Sequence, residues 1–424
     1  MINCSLFKKN RIKLKKKLAP NSICVFESND QMPTNADGLM PFKQNSDLFY
    51  LTGIDQEDTS LILFPEAKNQ DYKEILFIKK TNDTIRVWEG HKLTKIEAQK
   101  KSGIKTVLWN DEFISILKYL IPDSSCIYLS SNEHPRANII VETRNARLKS
   151  MLTNLFPNNK FEKVSSIMHQ MRSIKEAEEI NTIKKACDIT KNGFNRILKF
   201  IKPGIFEYNI QAELIHEFVN NCSKGFAYEP IIASGKNACI LHYTDNNQIL
   251  KKDDVILMDF GAEYNNYASD LTRCVPVSGK FTKRQKNVYN AVLRVMRGAK
   301  NMLKPGVFLN DYEKKVGKLM EKELVDLQLI SIEEIKRQGQ VPIYKKYFMH
   351  GTSHHLGLDV HDVSDSKTPL LDGMVLTCEP GIYIPEENLG IRLENDILIS
   401  QNQTVDLMSE ILIDPEEIEE AINN

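Results

Sequence analysis

The 424-residue sequence has no surplus of either charge: 56 basic side chains stand against 56 acidic ones. Without a net positive field there is no electrostatic case for a nucleic-acid or an anionic-membrane surface. No apolar run reaches the length of about 18 residues that a transmembrane helix needs. The eight cysteines form no Cys-x-x-Cys pair and lie scattered, at positions such as Cys4, Cys126, Cys239 and Cys378. That spacing fits the reduced, buried thiols of a cytoplasmic protein better than a disulfide framework. The basic opening stretch MINCSLFKKNRIKLKKKLAP lacks an apolar segment after Lys17, so it is a poor secretory signal. It reads as a solvated first helix with Leu6, Phe7, Ile12 and Leu14 along one side. Only 16 prolines interrupt a chain that is 42% hydrophobic, the profile of an ordinary globular enzyme long enough for two domains.

What is present falls into two textures. The first third alternates short apolar runs with helical patterns. Strands are expected over 23–28, 60–66, 74–80 and 126–131 and a helix over 111–121, giving a mixed or doubly wound α/β domain. The aromatic and polar stretch 40–54 reads as strand-and-turn core, or as a contact surface for another subunit. Near residue 160 the pattern becomes helical. Ser173, with Glu176 three residues on, has the form of a capping box. The expected division is residues 1–168 and 169–424.

The second part carries an internal echo. Lys-Pro-Gly occurs at 202–204 and again at 304–306, each time between two helical patterns. DDVILMDFG (253–261) parallels LDGMVLTCEPG (371–381), with Asp259 and Glu379 in equivalent places. Each half then supplies one further acid, Asp270 and Glu394. Two related halves about a pseudo-two-fold axis are expected, with these acids at their junction. The tail DPEEIEEAINN reads as a short exposed helix.

Those four carboxylates, with His354 in MHGTSHHLGLDVHD, repel one another unless cations sit among them. The set suits two hard or borderline divalent ions, and a two-metal centre is a device of hydrolases. Hairpin geometry supports the grouping. Asn265–Asn266 suits a two-residue turn, because Asn tolerates the positive φ such turns need. Tyr264 then faces Tyr267, Asp270 faces Gly261, and Asp259 is a diagonal neighbour of Asp270 at roughly 7–8 Å. A hairpin centred between Glu386 and Glu387 likewise sets Glu379 opposite Glu394. Strand alternation turns Cys378 away from Glu379, into the core.

The segments DFGAEYNNYASDLTR, HGTSHHLGLDVHD, CEPGIYI and GIRLEND, in this order and preceded by EPIIASGKNACILHY, resemble the dinuclear metallopeptidases of the pita-bread fold. Within them they are most similar to the X-prolyl aminopeptidase, or aminopeptidase P, family. The likeness is strong over 173–410. It extends more loosely to KQNSDLFYLTGI, which is similar to the N-terminal domain of aminopeptidase P and creatinase.

The resemblance implies an α/β chain of two domains, the second a pseudo-symmetric pita-bread catalytic domain. It implies that Asp259 chelates one metal, that Asp270 and Glu394 bridge two, and that His354 and Glu379 each complete one site. Mn²⁺ is the expected metal, with Co²⁺ and Zn²⁺ as alternatives, and the metals would hold a bridging hydroxide. Glu379 would act as general base, and His361 and His242 would stabilise the oxyanion. Arg392, two residues before Glu394 on the same strand face, would fix that carboxylate. His242, Tyr243, His350 and His361 would wall the substrate pocket. Tyr383 faces the metals and either binds a ligand carboxylate or packs as a strand aromatic. His355 points away from His354. The implied substrates are peptides with proline second, and the implied assembly is a homodimer or homotetramer. A prolidase, taking only dipeptides, is the nearest alternative. A binding protein on the same fold is a remoter one, because all five ligands are present.

Overall fold

A computed structural model describes residues 2–134, 136–365 and 367–424. The chain forms two compact units, Met1–Arg172 and Ser173–Asn424.

The first unit is built on a six-stranded mixed sheet. Its strands are β1 (Ser22–Glu27), β2 (Ser60–Leu63), β3 (Glu74–Ile78), β4 (Thr106–Trp109), β5 (Cys126–Leu129) and β6 (Lys160–Lys163), in the order β4-β3-β2-β1-β5-β6. β1 to β3 pair antiparallel, and the outer neighbours join in parallel. Helices α1 (Cys4–Lys15), α2 (Ser46–Thr52), α3 (Asp83–Glu89), α4 (Lys95–Ser102), α5 (Phe113–Leu120), α6 (Arg144–Leu155) and α7 (Ser165–Ser173) connect or cover them. Every residue of β1 and β2 is buried, which is why both read as unbroken apolar runs. β4 and β6 escape such a reading, since neither is a continuous apolar run and both are largely accessible.

Two expectations fail in this unit. The 40–54 stretch is not strand and turn: it contains α2, six of whose seven residues are buried. Asn45 opens α2 by accepting the Asp47 and Leu48 N–H groups, and Gly53, at φ 66°, closes it. Ile12 is 50% exposed and does not join Leu6, Phe7 and Leu14 in the core. That face of α1 is completed by Asn10 and Arg11. The buried Arg11 guanidinium donates to the Leu51 and Ser102 carbonyls and to Glu74. The first helix is therefore tied down by polar groups.

The second unit opens with α8 (Ala177–Phe200) and α9 (Glu207–Asn220). Next come β7 (Ile231–Ser234), β8 (Val255–Phe260), β9 (Glu263–Tyr264), β10 (Tyr267–Ala268) and β11 (Leu271–Pro276). The second half repeats the plan with α10 (Lys283–Met302), α11 (Leu309–Asp326) and α12 (Ile332–Arg337). It continues through β12 (Val375–Cys378), β13 (Gly381–Ile384), β14 (Leu389–Arg392), β15 (Asn395–Leu398) and β16 (Val405–Asp406), and ends with α13 (Pro415–Asn423). Each Lys-Pro-Gly does separate two helices, with Gly204 at φ 89° and Gly306 at φ 86°.

The expected cap at Ser173 is displaced. Ile174 bridges Met374, and the Lys175 N–H donates to the Gly373 carbonyl at 2.9 Å, so these two residues cannot enter a helix. α8 begins after Glu176, whose N–H is taken by the Glu179 carboxylate at 2.9 Å. The C-terminal helix is present, though Pro415 and Ile418 are buried.

Candidate metal centre

The first pair of acids is set by one hairpin register. Asn265 and Asn266 adopt φ 50° and 67°, and Tyr264 pairs with Tyr267 as the spacing requires. The same register continues into β8 and β11, where Thr272 stands opposite Asp259 and Leu271 opposite Phe260. Gly261 then falls opposite Asp270. A Cβ at 261 would overlap the Ser269 carbonyl, so only glycine allows the close approach. Asp259 is the one residue of β8 that is not fully buried.

The second pair follows the same logic. Gly381 pairs with Arg392 in β13–β14, and Cys378 with Asn395 in β12–β15. The ladder is interrupted between them, at Glu379 and Glu394. There the Glu379 N–H turns to the Thr352 carbonyl at 2.8 Å and the Glu394 N–H to the Thr272 carbonyl at 3.1 Å. The second contact joins the two halves and brings Glu394 to the first pair of acids. Cys378 points into the core, as alternation requires.

Asp270, His354 and Glu394 each offer a ligand atom, and these atoms lie within 4.8 Å of one another. His354 Nε2 is 3.5 Å from Asp270 Oδ2 and 3.5 Å from Glu379 Oε1. Its Nδ1 lies 3.0 Å from the His355 carbonyl, a hydrogen bond that puts the proton on Nδ1 and leaves Nε2 for a cation. His361 stacks on His354 with centroids 4.1 Å apart. His350 Nδ1 is 3.7 Å from Glu379 Oε2, and its Nε2 meets the Tyr383 hydroxyl at 2.7 Å. The five expected ligands, with His350, His361 and Tyr383, therefore form one constellation. His242 stands apart: it is exposed, and among the described residues it makes no hydrogen bond or ion pair.

The expected partner of Arg392 needs correction. Its Nη2 meets Asp259 Oδ2 at 2.5 Å, not Glu394. Its Nε donates to the Thr272 hydroxyl at 3.1 Å, and that hydroxyl donates to Glu394 Oε2 at 2.6 Å. Arg392 thus reaches Glu394 only through Thr272. Its Nη1 donates to the Tyr383 hydroxyl at 2.9 Å, which occupies that hydroxyl within the site's own network. Tyr243, expected on the pocket wall, instead donates its buried hydroxyl to Glu207 at 2.8 Å.

Other participants were not legible from spacing. The Tyr228 hydroxyl lies 2.5 Å from both Asp259 Oδ1 and Asp270 Oδ1. Asp396 is fully buried; its Oδ2 accepts the Asp270 N–H at 3.0 Å, and its Oδ1 has no hydrogen-bond partner. Arg273, also fully buried, directs its fork at the Thr272, Glu394 and Leu412 carbonyls and at Asn395 Oδ1. A sequence shows no reason to prefer these residues over any other Tyr, Asp or Arg.

The electrostatics test whether the donor set fits cations. Burial and the neighbouring carboxylates push Glu394 well above the usual carboxylate range. Burial lifts Glu379 to about 7 against the opposing His354 and Arg392 charges, and it also raises Asp259. Burial disfavours a charged His354, yet its contacts with Asp270 and Glu379 outweigh that and raise it to about 9. Without cations, burial therefore resists ionisation of Asp259, Glu379 and Glu394, while the contacts with Asp270 and Glu379 favour a proton on His354. Divalent ions would replace those protons, so the residues fit the metal.

A buried cluster of carboxylates and one imidazole, built where two sheet halves meet, defines a metallohydrolase centre. Residues 181–401 match metallopeptidase family M24, and residues 7–129 match the aminopeptidase P N-terminal domain. The chain belongs to the M24 metallopeptidase family, in its two-domain form with a pita-bread catalytic domain. It is 33% identical to a Xaa-Pro aminopeptidase of Escherichia coli over 97% of this chain and 96% of that one. It is 29% identical to Xaa-Pro aminopeptidase 3 of Homo sapiens, over 93% and 80% of the two. Among solved structures, aminopeptidase PepP of Pseudomonas aeruginosa superposes with a TM-score of 0.92 at 29% identity, covering 100% of this chain and 99% of that one. Zn-substituted E. coli aminopeptidase P in complex with product gives 0.88 at 31% identity, covering 100% and 98%.

Proposed function

We propose that the protein is an aminopeptidase that removes the N-terminal residue from peptides with proline in second place. The observation that carries this reading is the likeness to Xaa-Pro aminopeptidases across both units, 97% of the chain, together with the Asp270–His354–Glu394 cluster. Two divalent ions, Mn²⁺ before Co²⁺ or Zn²⁺, would be held by Asp259, Asp270, His354, Glu379 and Glu394. When bound they would acidify water and polarise the scissile carbonyl. Glu379 takes the proton of the attacking water and returns it to the leaving nitrogen. His361, beside His354, and His242, on its exposed loop, donate to the developing oxyanion. Arg392 holds Asp259 in place, and His350 and Tyr383 shape the pocket. An X–Pro amide has no N–H, so a site that grips the terminal amine and carbonyl directly has an advantage over one that reads a β-strand. In this reading residues 1–168 form the N-terminal domain and 169–424 the catalytic one. The protein works in the cytoplasm as a homodimer or homotetramer. A prolidase is not favoured, because two relatives that align over 97% and 93% of the chain, at 33% and 30% identity, are Xaa-Pro aminopeptidases.

The deciding experiment measures release of the first residue from Arg-Pro-Pro and from Ala-Pro, on chelated protein with and without Mn²⁺. Metal-dependent cleavage of the tripeptide with little on the dipeptide is expected. The opposite preference would make the protein a prolidase, and absence of bound metal would point to a binding protein.

A further inference from the structure

Among the described residues the His242 side chain has no hydrogen-bonded anchor of its own, so its place is set by its backbone. That backbone belongs to a loop, residues 234–248, gathered onto one buried carboxylate. Glu207 is the first residue of α9 and is fully buried. Its Oε1 accepts the Ser234 N–H at 2.8 Å, the Ser234 hydroxyl at 2.7 Å and Asn237 Nδ2 at 3.4 Å. Its Oε2 accepts the Tyr243 hydroxyl at 2.8 Å and the Gln248 N–H at 3.0 Å. Its own N–H donates to the Gln248 carbonyl at 2.9 Å. Donors therefore arrive from both ends of the loop and from Tyr243, the residue after His242. The α9 dipole favours an anion at this helix end. None of these donors is a cation, so the carboxylate is spent on geometry, not on an ion pair.

We propose that Glu207 is a positioning residue for peptide cleavage, fixing loop 234–248 so that His242 meets the substrate at a set place. A group that must sit within a fraction of an ångström of the reacting atoms needs such support when its own ring makes no bond. The proposal rests on the role given to His242 above.

A double-mutant cycle on the Mn²⁺-loaded protein tests it, with Arg-Pro-Pro as substrate. Glutamine at 207 keeps one acceptor oxygen and turns an NH₂ group toward the remaining donors. Glu207→Gln is expected to lower kcat about tenfold while KM and the number of Mn²⁺ ions bound stay unchanged. In a His242→Ala background the same change should cost less than about twofold, because residues acting through one another are not additive. Equal losses in both backgrounds would overturn the proposal and leave Glu207 as a general support of the fold. Normal turnover by His242→Ala alone would instead overturn the assignment of His242. Should Glu207→Gln not fold, Tyr243→Phe removes a single tether. A kcat loss of about threefold, absorbed by His242→Ala, supports the proposal; an unchanged kcat overturns it.

Discussion

Against the six-stranded sheet of the first unit pack Ile23, Val25, Ile62, Phe64, Ile75 and Phe77, with Phe113 and Leu117 from α5. Among the strands of the second unit lie Asp270, Glu394, Asp396, Arg273 and Arg392, none more than 4% exposed. One interior gains its stability from apolar area removed from water. The other spends stability to hold charges where water cannot screen them, and recovers part of it through hydrogen bonds and ion pairing. The contrast separates what a fold needs from what a site needs. A mutation that relieves the second interior should leave the fold sound and the chemistry lost, whereas one that empties the first should do the reverse.

The largest effect is expected at Asp270. Asp270→Ala removes the carboxylate that faces both His354 and the Glu394 group, so at least one cation of the proposed pair would lose a ligand. Turnover of Arg-Pro-Pro should fall by about 10³-fold or more, and Glu379→Ala should do the same by removing the proposed base. With chelator present, the melting temperature of Asp270→Ala should be no lower than that of the parent, since one member of a repelling set is gone. Near-normal activity, or a large loss of cation-free stability, would break the comparison. Next in size is Phe77→Ala. Phe77 is fully buried and meets the Phe113 ring edge-on at 5.2 Å. Its truncation should cost about 3–5 kcal/mol of first-unit stability, read by urea unfolding, while the number of Mn²⁺ ions bound per chain stays that of the parent. A cost below about 1 kcal/mol would show that this core tolerates cavities, contrary to the packing argument.

The same contrast explains what could be read from the sequence. β1, β2, β3 and β5 were legible because strands buried on both faces have to be apolar runs. The grouping of the four acids was legible because hairpin period and turn chemistry fix register locally. Asn265–Asn266 set Asp259 against Asp270, and both calculated registers are those of the structure. The helix α2 was missed because its burial overrides a weak propensity in aromatic and polar residues. Ser173 misled because a strand-like contact made by Ile174 and Lys175 with residues some 200 positions away outweighs a local capping signal. Arg392 was assigned the wrong partner for a related reason. Strand alternation gives the face a side chain leaves from, not which of two acids on that face it reaches. Tyr228, Asp396 and Glu207 act through contacts distant in sequence, and a sequence without its fold holds no signal for those.

The smallest effect sharpens the comparison, because it asks whether a carboxyl group can be buried in the second unit without serving the cations. Glu179, in the first turn of α8, is almost fully buried. Its carboxylate accepts the Glu176 N–H and the Tyr267 hydroxyl, each at 2.9 Å. Burial raises it to about 7, against the opposing pull of those donors and of Lys175. In the unfolded chain the group titrates near the ordinary glutamate value of about 4.3. The folded state therefore holds the proton more tightly. The penalty for ionising it is absent below about pH 4, grows as pH rises through the interval, and is complete above about pH 7. It amounts to about 3 kcal/mol, taken from the size of the shift. Glu179→Gln keeps an acceptor oxygen for the Glu176 N–H and has no proton to lose. Measured by urea unfolding in chelator, the variant should gain on the parent as pH rises from about 4.5 to 7.5, by up to about 3 kcal/mol. The metal-site acids titrate in both proteins and cancel in the difference. Parallel stability curves would mean that Glu179 ionises in place at little cost. The charge tolerance of the second unit would then extend well beyond its metal centre.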